Sequence, residues 1–133
     1  MANIGLPLSD ALICAVLALP ISVFAAAAGG DGGQLIEAAR SALERGNFVR
    51  ADELYTAAIR EQEAAGVHDL RLASSLIDLG RVRGVEGQCG EATDLISRGI
   101  RILEAVPQAD SFQRSEAWGA LGKAYNCQRR GWG

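Results

Sequence analysis

The chain is poor in aromatic residues, which fill 5% of its 133 positions, and it has one lysine and one histidine, Lys123 and His68. So few ring side chains argue against a base-stacking surface for single-stranded nucleic acid. Thirteen Lys and Arg against sixteen Asp and Glu leave a net charge of −3, too small a field to draw nucleic acid or an anionic membrane. Motifs of catalysis and metal binding are missing as well: there is no HExxH, no CxxC and no His/Cys cluster. His68 lies in the stretch Gly66-Val67-His68-Asp69 and reads as a linker residue. The glycines between Gly80 and Gly87 follow no strand, so they do not make a phosphate loop. No pair of carboxylates sits in an apolar setting that would raise one pKa for acid–base work. These absences leave no candidate catalytic residue, cofactor or metal, and point to a protein that is not an enzyme.

What is present begins with an apolar run. From Ala11 to Ala28 the only interruptions are Pro20 and Ser22, and the run ends in small residues. That is the layout of a secretory signal peptide, with Ala25-Ala26-Ala27 and Ala26-Ala27-Ala28 both suited to cleavage. Residues 29–33, mostly glycine, then read as a flexible linker. No Lys or Arg precedes the run and Asp10 is negative, so the alternative is an uncleaved membrane helix, kinked at Pro20. The first reading predicts a periplasmic or secreted protein. The second predicts a membrane-anchored one, with residues 34–128 outside the cytoplasm in either case. Cys14 lies in the run, so cleavage would leave Cys89 and Cys127 as an even pair.

Beyond the linker the pattern is helical and it recurs. Ala39 aligns with Gly80 and then Gly122; Ala51, Tyr55 and Ala58 align with Ala92, Ile96 and Gly99; Leu76 and Leu79 align with Trp118 and Leu121. The offsets are 41 and then 42 residues, a period in the range of stacked helical repeats. The expected helices are Gly33–Glu44 and Phe48–Ala64, Leu70–Val85 and Glu91–Ala105, and an unpartnered fifth, Phe112–Gln128. Asn47, Asp69 and Asp110 or Ser111 are the expected N-caps, and Gly46, Gly66 and Gly87 the stops; Pro107 blocks extension of the fourth helix. Ala39, Gly80 and Gly122 are expected where the helices of a pair approach most closely. The fold class predicted is therefore all-α: a short antiparallel helix-turn-helix solenoid of about two and a half repeats. Residues 129–133 form a tail in which Trp132 is expected to fold back as a cap.

Two segments carry a family resemblance. Trp118-Gly119-Ala120-Leu121-Gly122-Lys123-Ala124-Tyr125 matches the first-helix motif of the tetratricopeptide repeat, and Gly46-Asn47-Phe48 through Ala51, Tyr55 and Ala58 matches the second. The long period and the linker Gly66 to Ala73 resemble the variant found in kinesin light chains. Arg83 stands where that family usually has an aromatic residue, Gly99 replaces the usual alanine, and the third repeat stops after one helix. The resemblance implies a scaffold that binds a peptide or protein segment in a concave groove and carries out no catalysis.

In the family's geometry Arg40, Arg81 and Lys123, each following a small first-helix residue, would stand in a row along the groove. Such a row suits an acidic peptide or a terminal carboxylate, with Asn126 as a further polar contact and Glu44 and Glu116 near enough to neutralise part of it. Cys89 and Cys127 fall on the same edge of the repeat, where a disulfide would tie down the last helix. The predicted activity is partner binding outside the cytoplasm. The alternative is a membrane-anchored accessory subunit of a larger complex, its fifth helix completed by another protein.

Overall fold

The computed structural model describes residues 32–131, and within them all regular secondary structure is helical. The expected signal or membrane segment 1–28, the first part of the glycine linker and the Trp132 cap lie outside the described residues. Five helices follow in order: α1 (Gly33–Glu44), α2 (Phe48–Ala64), α3 (Leu70–Val85), α4 (Cys89–Ala105) and α5 (Ser111–Gly131).

Their ends follow from local chemistry. Asn47 Oδ1 accepts from the Arg50 N–H and Asp69 Oδ1 from the Arg71 N–H, filling donors that a helix start leaves open. Ahead of α5, Asp110 Oδ1 accepts from the Gln113 N–H while Gln113 Oε1 accepts from the Asp110 N–H, a reciprocal cap. Gly46, Gly66 and Gly87 stop α1, α2 and α3 at φ of 73°, 72° and 84°, a left-handed turn that glycine makes without strain. Three ends differ from the sequence reading. Helix α4 starts at Cys89, α5 starts one residue early at Ser111, and α5 runs on to Gly131 because nothing in Asn126-Cys127-Gln128-Arg129-Arg130 breaks it. The linker also ends sooner than expected: Gly32 is buried, and a methyl built there would lie 2.9 Å from the Ala58 carbonyl oxygen.

Helix α3 organises the packing. Its Leu72, Leu76, Leu79 and Val82 belong to one buried cluster with Ala39 of α1 and Ala51, Leu54 and Tyr55 of α2. Its Ala73 and Ile77 belong to a second cluster, with Ile96, Ile100 and Leu103 of α4 and Ala117, Leu121 and Ala124 of α5. A helix apolar on both flanks is what a central position requires. Helices α3 and α4 approach closely because two positions lack side chains. A methyl on Gly80 would come within 2.5 Å of Ile96 Cγ1, and one on Gly99 within 2.7 Å of Ile77 Cγ1. Gly122 does not follow suit: a methyl built there meets nothing within 4 Å, because among the described residues no second helix lies over α5. The expectation of close approach thus holds at Gly80 and fails at Gly122, while Ala39 is fully buried.

Ion pairs join the same helices at the edges. Arg83, half-buried on α3, donates from Nε to Asp52 of α2 at 2.6 Å and from Nη1 to Glu91 of α4 at 2.7 Å. Arg98 of α4 pairs with Glu63 of α2.

Candidate functional site

The polar face that could meet a partner is built from α1, α3 and α5. Helical spacing explains its first members. Glu37 and Arg40 stand three residues apart on α1 and pair at 3.1 Å; Asp78 and Arg81 repeat the arrangement on α3 at 3.3 Å. Arg81 also reaches Glu116 of α5, at 3.7 Å. The Arg40 guanidinium lies close enough to Tyr55 and Asp78 to act on both. Two of the three expected cations, Arg40 and Arg81, are therefore gathered around one carboxylate, Asp78.

Asp78 is the best-buried charge of this face, with 18% of its side chain exposed. Burial pushes its carboxyl above the usual range, against the pull of Arg81 and Arg40 and the hydrogen bond from Tyr55. Tyr55, fully buried on α2, has its hydroxyl pushed up to about 12, first by burial and then by the Asp78 charge. This arrangement holds shape and neutralises charge. A group tuned for proton transfer would need a partly ionised state near neutral pH, and Tyr55 does not have one.

Two cavities open beside Arg81. The smaller, about 140 Å³, has Ser74, Asp78, Gln113 and Glu116 on its polar wall. The larger, about 350 Å³, lies between α3, α4 and α5; Gly84, Val85, Ile96, Ala120 and Ala124 make it largely apolar, and Arg81 and Lys123 edge it. Lys123 is exposed, and no carboxylate pairs with it among the described residues. Asn126 is exposed and outside the lining of this cavity. The row of three cations is thus graded: Arg40 and Arg81 carry acidic neighbours, and Lys123 stands apart.

Sequence reasoning picked out the three cations and Glu116 but passed over Glu37, Asp78 and the Tyr55 hydroxyl. The acids had a legible signal, a carboxylate three residues before each arginine on a helix. Tyr55 entered the sequence reading only as a repeat position aligned with Ile96; its ring is in the core, and its hydroxyl reaches Asp78. Glu44, expected to neutralise part of the row, makes no ion pair with Arg40, which turns to Glu37 instead.

Cys89 and Cys127 meet at the far rim of the larger cavity. Their Cα atoms are 5.7 Å apart, within disulfide range, and the two residues are 38 apart in the chain. Among the described residues no group of three or more His, Cys, Asp and Glu is placed to hold a metal ion, and no helix is long and apolar enough to cross a membrane. No protein-family model, curated protein or solved structure matches the chain.

Proposed function

We propose that this chain is a non-enzymatic protein-interaction module of the helix-turn-helix repeat kind, working outside the cytoplasm and holding a partner segment against the face of α1, α3 and α5. One observation supports this most: an apolar cavity of about 350 Å³ with Arg81 and Lys123 at its edge. Apolar lining with a few fixed polar groups is the usual character of a recognition pocket. An apolar side chain of the partner would enter the cavity, and a carboxylate next to it, from an acidic residue or a chain terminus, would meet Lys123 and Arg81. The tetratricopeptide resemblance supports the same use of this face, and the Cys89–Cys127 pair supports an oxidising compartment.

The test is fluorescence anisotropy with labelled peptides that end in Leu or Ile behind two or three acidic residues, each made as free acid and as amide. Lys123→Glu and Arg81→Glu should each weaken binding of the free acid at least tenfold, and the amide should bind less well. Equal affinity for both forms, unaffected by either charge reversal, would reject the reading.

A further inference from the structure

Among the described residues nothing covers the outer face of α5, and its composition is wrong for solvent. Trp118 and Tyr125 are 52% and 51% exposed. Between them on the same helical face is Gly122, with open space where a side chain would be. Ser115 continues that face toward the helix start, by the i, i+3, i+7, i+10 spacing. A solvated helix face has little use for two large aromatics around a glycine.

The molecule itself shows what covers the glycine of such a face. At the 42-residue offset Trp118 corresponds to Leu76, Gly122 to Gly80 and Tyr125 to Arg83, all on α3. There the glycine is covered by α4: Ile96 and the Ala92 carbonyl oxygen occupy the space over Gly80, and the Gly99 backbone closes on Ile77 and the Ala73 carbonyl oxygen. Helix α4 thus docks through a ridge of small, large and small residues, Ala92, Ile96 and Gly99. Helix α2 has the same spacing in Ala51, Tyr55 and Ala58. A helix seated on α5 in this way needs that ridge.

Charge settles the rest of its character. Arg114 and Arg129 border the aromatic face near its two ends, and neither makes an ion pair among the described residues. The only acid of α5, Glu116, is turned toward Arg81. Fifteen residues of helix put the two arginines about 22 Å apart along the axis. The complementary helix carries carboxylates some four turns apart on either side of its ridge. Helix α4 has that form too, with Glu91 near its start and Glu104 near its end.

We propose that the outer face of α5, made by Ser115, Trp118, Gly122 and Tyr125, is a docking site for an amphipathic helix of another protein, with a small-x3-large-x2-small ridge flanked by carboxylates. This site is separate from the groove bounded by Arg81 and Lys123, and it stands or falls independently of that groove. The fit places a large aliphatic side chain over Gly122, with Trp118 and Tyr125 on either side.

The probe is a helix-stapled peptide of residues 89–105 with Cys89 replaced by serine, titrated into the full chain carrying Trp132→Phe so that Trp118 is the single tryptophan. Saturable binding with a blue shift of Trp118 emission is expected. Gly122→Leu fills the seat and should abolish binding, and Arg114→Glu with Arg129→Glu should weaken it at least tenfold; both variants are checked for native circular dichroism. Lys123→Glu should leave this binding within twofold, which separates it from the groove. Absence of binding, or binding that survives in a folded Gly122→Leu or charge-reversed chain, overturns the proposal. Sedimentation is run alongside: a dimer that Gly122→Leu disrupts would show that the face takes a second copy of this chain and would overturn the assignment to a foreign helix.

Discussion

The Tyr55 hydroxyl donates to Asp78 Oδ2 at 3.5 Å, across the boundary between α2 and α3. The bond is long, and it joins a fully buried ring to a carboxylate that burial holds above its usual pKa. A folded-state pKa raised above the unfolded one means that the folded chain keeps a proton the unfolded chain has lost. Stability is then greatest below the ordinary carboxylate range and falls as pH rises through the raised value. Ionised Asp78 is a net cost to folding at neutral pH, despite Arg81 and Arg40 beside it. Asp78→Asn should unfold at a higher temperature than the parent at pH 7, and the gap should close as pH falls toward 3. Thermal denaturation over that range checks it; a variant less stable at neutral pH would show that the ion pair with Arg81 outweighs burial.

The tyrosine side of the same contact predicts an alkaline effect. Tyr55 is raised from 10 to about 12, so between those values an unfolded chain ionises this hydroxyl and the folded chain does not. Stability present below pH 10 is lost as pH rises to 12, by on the order of 2–3 kcal/mol. Tyr55→Phe removes the hydroxyl and should flatten this part of the profile, at a cost near neutral pH of roughly 0.5–1.5 kcal/mol for the lost hydrogen bond. Urea unfolding from pH 9 to 11.5 measures both slopes. Parallel slopes would mean that Tyr55 ionises as readily folded as unfolded.

Three glycines with related places in the sequence should respond in opposite ways to alanine. At Gly80 and Gly99 the added methyl meets Ile96 or Ile77 as well as a backbone carbonyl oxygen, and the backbone cannot yield. Each substitution should cost about 1–3 kcal/mol. At Gly122 the methyl meets nothing, and the higher helix propensity of alanine should stabilise the chain by up to about 1 kcal/mol. Urea midpoints of the three variants decide it; a loss at Gly122 as large as at Gly80 would mean that something already covers α5.

The contrast at these glycines also shows what could be read in the chain. The ends of α1, α2 and α3 matched the expected residues because each end is set locally, by Asn47, by Asp69 and by glycines at positive φ. The end of α5 did not match, since no breaker follows Gln128 and helix propensity carried it to Gly131. Small residues at fixed intervals marked where α3 and α4 touch. The same mark at Gly122 misled, because a pattern records the shape of a seat and says nothing of an occupant. The cations of the face were visible one at a time. Their pairing with Glu37, Asp78 and Glu116 depends on side chains that only the folded helices bring together.

Arg83 offers a test of three helices at once. Its Nε serves Asp52 of α2 and its Nη1 serves Glu91 of α4 and Gln88 just ahead of that helix, with 21% of the side chain exposed. Two directions of donation from one planar group suit arginine and cannot be copied by a lysine ammonium on a flexible stem. Arg83→Lys should therefore recover little of what Arg83→Ala loses. A double-mutant cycle with Asp52→Ala should give a coupling of about 1–2 kcal/mol. Coupling below 0.3 kcal/mol, on the order of the additivity error, would mark the contact as a surface pair with no net weight.

Helix α5 depends most on the Cys89–Cys127 pair, for reasons of side-chain size. Its buried contacts are Ala117, Ala120, Leu121 and Ala124, so three of the four contribute little more than a methyl each, at about 0.8 kcal/mol per buried carbon. Among the described residues no helix lies on its outer face to add to them. A disulfide closing a segment of 38 residues is worth roughly 3–4 kcal/mol in the chain-entropy model, more than any single one of those contacts. Reduction, or Cys89→Ser with Cys127→Ser, should lower the global urea midpoint. It should also leave amides of α5 exchanging with solvent well before those of α3, which is buried on both flanks. Hydrogen exchange followed by mass spectrometry, with and without reductant, resolves the two helices. If α5 and α3 lose protection together, the domain unfolds as one unit and the bond acts on all of it. If reduction changes neither helix, the two cysteines are not bonded in the native protein, and their pairing no longer points to an oxidising compartment.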